Sequence, residues 1–112
     1  MNFPDFIQKF PALDLPFGED VVQSRVVRSD AGLVVFFTFL QDVDLPPHSH
    51  LAQWGILVNG SMEMTIDGVT RICKPGDTWD IPAHTEHGAK IIAGSMVIDV
   101  FEEPDRYPLK PS

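Results

Sequence analysis

The chain has 112 residues, enough for one domain with a single modest core. Its formal net charge of −8 disfavours a nucleic-acid partner, because such partners require clustered Lys and Arg to displace counterions. No run approaches the roughly 18 apolar residues of a membrane span, and residues 1–10 lack the basic start and unbroken apolar stretch of a secretory signal. We therefore expect a cytoplasmic protein with no membrane association.

Residues 1–18 carry four phenylalanines among three prolines, a composition unlike that of a solvated tail. These side chains either cap one end of their own subunit or form a contact between two subunits. From residue 21 onward, short apolar or alternating runs are separated by turn residues, which indicates many short strands. The predicted strands cover residues 21–27, 33–41, 54–58, 61–66, 70–73, 78–81, 89–92 and 96–101.

This pattern predicts an all-β, eight-stranded jelly-roll barrel in a single domain, with an arm at 1–18, a barrel at 19–103 and a tail at 104–112. The dipeptides at 59–60 and 67–68 favour tight hairpin turns, and residues 44–47 are interpreted as a turn because they include two prolines.

Met62 and Met64 alternate with polar residues and are interpreted as core. Trp54 and Trp79 are either pocket walls or core. Cys73 is the only cysteine, so no intrachain disulfide forms.

Every histidine falls in one of two short clusters, and the clusters predict one metal site. His48 and His50 are two residues apart, so in an extended chain they project to the same face, about 7 Å apart. Gln53 and His87 could complete the ligand set from neighbouring strands. His84 is expected in a loop near the pocket mouth. The alternative is that these are surface or core histidines without a ligand.

The first cluster resembles the first motif of the cupin superfamily, which runs His-x-His, three or four residues, Glu, six residues, Gly. Here His48 and His50 form the histidine pair, and six residues separate Gln53 from Gly60. Only two residues separate Gln53 from His50, and an amide replaces the carboxylate. The resemblance implies a jelly-roll barrel that holds a divalent metal.

The second cluster resembles the second cupin motif, which runs Gly, five residues, Pro-x-Gly, two residues, His, three residues, Asn. Gly76, Pro82 and His87 match it. His84 stands in place of the second glycine, and Ile91 stands in place of the asparagine. As a signal of function the motifs are broad, because cupins include isomerases, oxygenases, epimerases and pure binders.

A narrower resemblance, to the KdgF-type cupins of pectin degradation, lies beyond the motifs. It is carried by the glutamine, by residues 97–101 and by Pro104 and Arg106. In that family a metal held by three His and one Gln linearises unsaturated uronic acids. The resemblance implies a homodimer, with Asp99, Phe101 and Arg106 beside the substrate. It also implies a ligand set of His48, His50, Gln53 and His87.

Three neutral imidazoles and an amide would leave the full charge of a divalent ion in the pocket, which favours binding of a carboxylate or enolate oxygen. This ligand set accepts Zn, Ni, Mn, Co or Fe. Asp99 shares a strand face with Val97 and Phe101. If that face is inward, desolvation raises the pKa of the carboxyl group and suits it to acid–base chemistry; otherwise Asp99 is exposed or pairs with an arginine such as Arg25.

The resulting hypothesis is a metal-dependent cupin that opens or tautomerises a small anionic sugar acid such as an unsaturated uronate. Two other functions stay open: a non-catalytic cupin that binds a metal or small ligand, and a metal-dependent dioxygenase. The absence of a two-His-one-carboxylate triad makes the dioxygenase the weaker of the two.

Overall fold

The computed structural model describes residues 1–111, which form nine β-strands and one turn of 3₁₀ helix at Ile7–Lys9. No helix in this part of the chain is long and apolar enough to cross a membrane. The strands are β1 (Val22–Ser29), β2 (Gly32–Phe39), β3 (Val43–His48), β4 (Gln53–Asn59), β5 (Met62–Ile66), β6 (Val69–Cys73), β7 (Thr78–Ile81), β8 (His87–Ile91) and β9 (Met96–Phe101).

Two antiparallel sheets pack face to face around the core. One has the strand order β1-β2-β9-β4-β7 and the other has the order β3-β8-β5-β6. Along β2 the burial pattern alternates strictly between buried and half-buried residues, so one face of the strand points into the core. This arrangement confirms the predicted all-β jelly roll.

The prediction of eight strands is wrong, because β3 occupies residues that were interpreted as a turn. Its two prolines cannot donate to a strand ladder, but the register with β8 shifts between Leu45 and His48. Pro46 and Pro47 therefore lie opposite the single residue Gly88 in a bulge, where the ladder does not need their missing N–H groups. A Cβ on Gly88 would crowd the backbone of Leu45, so the bulge also requires this glycine.

Two of the four arm phenylalanines pack on their own chain. Phe3 and Phe10 contact the ring of Phe36 on the outer face of β2, with centroid distances of 5.4 and 6.2 Å. Phe17 lines the internal cavity, and Phe6 stays 64% exposed. The arm therefore serves its own subunit in part, as the intrachain alternative expects.

The tail runs back along the arm rather than away from the barrel. A β-bridge joins Leu13 to Leu109, and the backbone N–H of Asp14 donates to the carbonyl of Pro108. Lys110 forms an ion pair with Glu19 at 2.6 Å. Between β9 and this contact, Arg106 and Tyr107 line the same internal cavity as the inward-facing histidines, and Arg28 of β1 donates to the carbonyl of Tyr107.

The inward-facing residues form three layers, because strand pairing aligns every second residue of each sheet. The histidine layer contains Leu33, Gln53, Ile81 and Phe101 on one sheet and His48, Ile66 and His87 on the other. The carboxylate layer contains Val35, Gly55, Trp79 and Asp99, with Leu45, Met64 and Ala89. The apolar layer contains Phe37, Leu57 and Val97, with Val43, Met62 and Ile91.

Gly55 allows two large side chains to meet in the carboxylate layer. A Cβ at this position would overlap both the indole of Trp79 and the carboxylate of Asp99. Both side chains are held by their strands and buried, so neither can move aside cheaply.

We predict that Gly55→Ala lowers the free energy of unfolding by about 1–3 kcal/mol, because the added methyl group would overlap the buried side chains of Trp79 and Asp99. Urea denaturation followed by fluorescence measures the change. Gly18→Ala is the matched control, since its Cβ would meet only the end of the exposed side chain of Asp20, which is free to rotate. Equal losses in the two variants would contradict the close approach at Gly55.

Candidate metal centre

Three imidazoles meet at one end of the barrel. His48 ends β3, His50 follows in the connection to β4, and His87 begins β8. One ring nitrogen from each lies within 4.8 Å of the other two. The ring centroids of His48 and His87 are 4.4 Å apart, and those of His50 and His87 are 4.7 Å apart. The chain thus brings together histidines that are up to 39 residues apart in sequence.

Each imidazole is oriented by a backbone carbonyl at its Nδ1 atom. The Nδ1 of His48 lies 2.9 Å from the carbonyl oxygen of Pro46, that of His50 lies 2.7 Å from Leu51, and that of His87 lies 2.9 Å from Thr85. A carbonyl only accepts, so Nδ1 carries the proton in each ring and Nε2 keeps its lone pair. This arrangement is typical of metal-binding histidines.

The Nε2 atoms of His50 and His87 are 3.1 Å apart. Two imidazole nitrogens bound to one ion at 2.0–2.1 Å, with an angle of 90–109° between them, lie about 2.8–3.4 Å apart. Burial lowers the pKa of both rings and so favours the neutral form, which is the form that binds a metal. The three residues therefore fit a divalent ion.

Gln53 lies in the same layer and is buried. Its Nε2 donates to the Oδ1 atom of Asp99 at 2.9 Å. The amide orientation is thereby set, and within residues 1–111 its Oε1 accepts no hydrogen bond. Oε1 is therefore the atom that would act as a ligand beside the histidines.

Asp99 is a buried carboxyl group, only 8% exposed, in the layer beneath the histidines. Its Oδ1 accepts two hydrogen bonds, from Gln53 and from the indole Nε1 of Trp79, the latter at 2.9 Å. Desolvation raises its pKa to about 6, although both hydrogen bonds act in the opposite direction. The alternatives of an exposed Asp99 and of an arginine pair do not hold, because its partners are an amide and an indole.

An aromatic and cationic wall borders the histidines. The ring of Phe101 lies 5.7 Å from that of His50, and Tyr107 packs edge-on against Phe101 at 5.8 Å. The guanidinium of Arg106 lies 4.6 Å from the Tyr107 ring centroid. Among the described residues, Arg106 Nε is the only side-chain nitrogen or oxygen that is itself inaccessible to solvent and lacks a hydrogen-bond partner, so its guanidinium is a candidate to bind an anion.

His84 lies apart from the other three histidines, in the loop that the motif spacing predicted. It is exposed, and its φ of +64° is the left-handed conformation that the glycine of the motif adopts easily. Its backbone N–H donates to the carbonyl of His50 at 2.7 Å. This residue therefore supports the site through its backbone.

The two tryptophans, which the sequence could not distinguish, differ in position. Trp79 is 2% exposed and donates a hydrogen bond to Asp99, whereas Trp54 is 43% exposed on the outer face.

Cys73 is buried, and desolvation raises the pKa of its thiol, which favours a structural role. Sequence reasoning missed Tyr107 and the part that Gly55 plays, since neither belongs to a local pattern.

A cavity of about 390 Å³ connects the three clustered histidines with Asp99 and with the wall formed by Phe101, Arg106 and Tyr107. This volume lies in the range that accommodates small organic ligands. Its polar lining comes from the three histidines, Gln53, Trp79, Asp99, Arg106 and Tyr107. The rest of its wall is apolar and extends from the barrel to residues 15–17 of the arm.

We predict that His87→Ala sharply reduces metal binding, whereas His84→Ala leaves it nearly unchanged. His87 presents an oriented Nε2 to the cluster, and His84 supplies only a backbone contact. Elemental analysis of protein reconstituted with Zn²⁺ and then dialysed measures the occupancy. If both variants lose metal equally, the assignment of His87 as a ligand is incorrect.

The pKa of Asp99 predicts a pH-dependent stability difference between the metal-free wild type and Asp99→Asn. Between about pH 4 and 6 the folded chain keeps the Asp99 proton, while the unfolded chain releases it near the ordinary value of 3.8. The wild type should therefore lose stability relative to Asp99→Asn as the pH rises through this window, by an amount on the order of 2–3 kcal/mol.

Denaturant titrations of both proteins at pH 4, 5, 6 and 7 measure this difference. The lowered pKa values of His50 and His87 reduce stability as the pH falls, but they act in both proteins and cancel in the comparison. A difference that is constant across the range would show that Asp99 titrates at its ordinary pKa.

Comparison with solved structures identifies close relatives of the fold. KdgF from Halomonas sp. is 30% identical, with 88% of this chain and 90% of that chain covered and a TM-score of 0.73. An RmlC-like cupin from Shewanella frigidimarina is 25% identical, with 88% and 87% covered and a TM-score of 0.74. Oxalate decarboxylase from B. subtilis, at 20% identity and a TM-score of 0.67, shares the fold over 29% of its own length.

No curated protein matches this sequence significantly. The family model described as "Cupin domain" matches residues 36–101, which is more than half of the chain and includes every histidine. The match, the two-sheet jelly roll and the 30% identity to KdgF agree with one another. The chain belongs to the cupin family.

Proposed function

We propose that this cupin binds one divalent ion through His48, His50, Gln53 and His87 and opens or tautomerises a small sugar acid, with an unsaturated uronate as the first candidate. The single observation that supports this most is the convergence of three imidazoles on a cavity that is also lined by a buried carboxyl group. The uronate itself is suggested by the resemblance to KdgF-type cupins.

A divalent ion in this ligand set would supply Lewis acidity toward carboxylate and enolate oxygens. Arg106 would bind the substrate carboxylate, since its buried Nε has no hydrogen-bond partner within residues 1–111. Phe101 would pack on the sugar ring beside His50. These contacts orient the substrate over the carboxylate layer.

Asp99 would move the proton. Both of its hydrogen bonds go to Oδ1, which leaves Oδ2 for the substrate. Oδ2 takes the proton of the anomeric hydroxyl group, and the ring C–O bond breaks to give an aldehyde and an enolate. The protonated carboxyl group then returns a proton to the enolate carbon, so the reaction is an isomerisation with no atom gained or lost. A pKa of about 6 makes both forms of Asp99 accessible near neutral pH.

A non-catalytic binding protein is the second candidate, because the same cavity and cation would hold an anion without turning it over. The apolar character of much of the cavity wall favours this candidate. A dioxygenase is the third and the weakest, since no carboxylate stands among the proposed ligands. Activity with a redox-inert ion such as Zn²⁺ would exclude the dioxygenase.

The homodimer and the cytoplasmic location stay predictions. The exposed Phe6, next to arm residues that already pack on the barrel, is the side chain that a second subunit would cover. Its side chain is 64% exposed in the single subunit.

We predict that Asp99→Asn lowers the turnover of an unsaturated uronate by about 10²–10⁴. Asparagine keeps an Oδ1 acceptor for Gln53 and Trp79 but removes the titrating proton. The metal content and the melting temperature at neutral pH should not fall. Steady-state kinetics of the metal-loaded protein, together with elemental analysis, measure these quantities.

Asp80→Asn is the matched control, because Asp80 is an exposed aspartate next to Trp79 on β7. It should retain full turnover. A stable, metal-loaded Asp99→Asn protein with wild-type activity would end this mechanism. Failure of the wild type on every sugar acid would favour the binding protein.

A further inference from the structure

The polar and apolar parts of the cavity wall are segregated along the barrel. Every polar side chain of the wall belongs to the histidine layer, to the carboxylate layer, to His50 in the adjoining connection or to the tail residues Arg106 and Tyr107. Beyond them the wall is purely hydrophobic. We call this part the apolar chamber; it is lined by Val22, Phe37, Phe39, Met62, Ile91 and Val97.

Strand geometry gives the depth of the apolar chamber. Val97 lies two residues beyond Asp99 and four residues beyond Phe101 on the same strand face. At about 3.3 Å per residue, it is roughly 7 Å past the carboxylate layer and roughly 13 Å past the histidine layer. Residues 15–17 of the arm also line the cavity.

A hydroxyl-rich sugar ring can be satisfied only near the histidines. In the apolar chamber each of its hydroxyl groups would lose water without gaining a partner, which costs about 1–3 kcal/mol. A methylene group placed there instead gains about 0.8 kcal/mol. A bare monosaccharide acid would therefore leave the chamber unused.

We infer that the substrate is an amphiphilic acid. Its oxygen-rich acid head lies against the histidines, Asp99 and Arg106, and an alkyl or aromatic group fills the apolar chamber. The inference rests on the proposed function for the placement of the head. It further assigns an apolar group to the substrate, which Phe37, Met62 and Val97 would select by contact in the apolar chamber.

The test is a ladder of 2-hydroxy acids with four, six and eight carbons, titrated calorimetrically into the Zn²⁺-loaded protein. Affinity should rise by up to about fourfold per methylene, or up to about fifteenfold for each two-carbon step, until the chamber is full. Galacturonate, whose hydroxyl groups extend along its whole length, should bind no more tightly than 2-hydroxybutyrate. The rise with chain length should persist in the metal-free protein at lower overall affinity.

Val97→Phe locates the effect, because it fills the chamber from β9 and leaves the ligands and Asp99 in place. It should abolish the rise with chain length and change the affinity for 2-hydroxybutyrate by less than about twofold. Ile98→Phe, the next residue on the opposite face, should behave as the wild type. If Val97→Phe does not fold, Ile91→Phe fills the same layer from the facing sheet.

The inference is overturned if the wild type binds the four-, six- and eight-carbon acids with equal affinity. It is also overturned if affinity still rises with chain length in Val97→Phe. Turnover of an unsaturated uronate is scored separately. If the protein turns over the uronate but its affinity for the 2-hydroxy acids does not depend on chain length, the proposed function holds and the inference about the apolar chamber fails. If affinity rises with chain length but the uronate is not turned over, the result supports a ligand group in the apolar chamber and refutes the sugar-acid reaction.

Discussion

The site depends on three hydrogen bonds between imidazole Nδ1 atoms and backbone carbonyls. They keep the proton of each ring on Nδ1 and leave a lone pair on Nε2, and the Nε2 atoms of His50 and His87 lie 3.1 Å apart. Such a contact between two acceptors is unfavourable unless a cation lies between them. The barrel holds the rings in place because the carbonyls belong to the bulged end of β3 and to the connections around β4 and β8. The packed strands thus hold two nitrogen lone pairs in an unfavourable contact, and a bound divalent ion would remove the repulsion between them.

The same strand pairing that aligns the histidines also builds the environment of the carboxyl group. Gln53 links the two layers: its Nε2 holds Asp99, and its Oε1 is left for the ion. Trp79 donates a second hydrogen bond to Oδ1 of Asp99. This contact is possible because Gly55 has no Cβ that would overlap the indole and the carboxylate. In the proposed mechanism, ligand orientation and acid–base chemistry would therefore be coupled through one amide. A change at Gln53 should disturb both, which distinguishes this arrangement from a cupin with a glutamate ligand.

Local patterns in the sequence were sufficient for the all-β fold, the histidine clusters and the strand face of Asp99. They failed at Pro46 and Pro47, because a bulge that accommodates prolines is set by the partner strand and not by the prolines themselves. They could not identify the partner of Asp99 either. Trp79 lies 20 residues away, and only the register between β4, β7 and β9 brings it there. The apolar chamber likewise emerges only when strands from both sheets are aligned.

In the proposed metal centre, one divalent ion is held by the Nε2 atoms of His48, His50 and His87 beside the amide of Gln53. X-ray absorption spectroscopy of the Zn²⁺-reconstituted protein tests it most directly, because the outer-shell scattering of imidazole rings counts the histidines around the ion. We predict three imidazoles at about 2.0–2.1 Å, with the remaining ligands being oxygen. A spectrum with one imidazole or none, or with a sulfur ligand, would contradict the account.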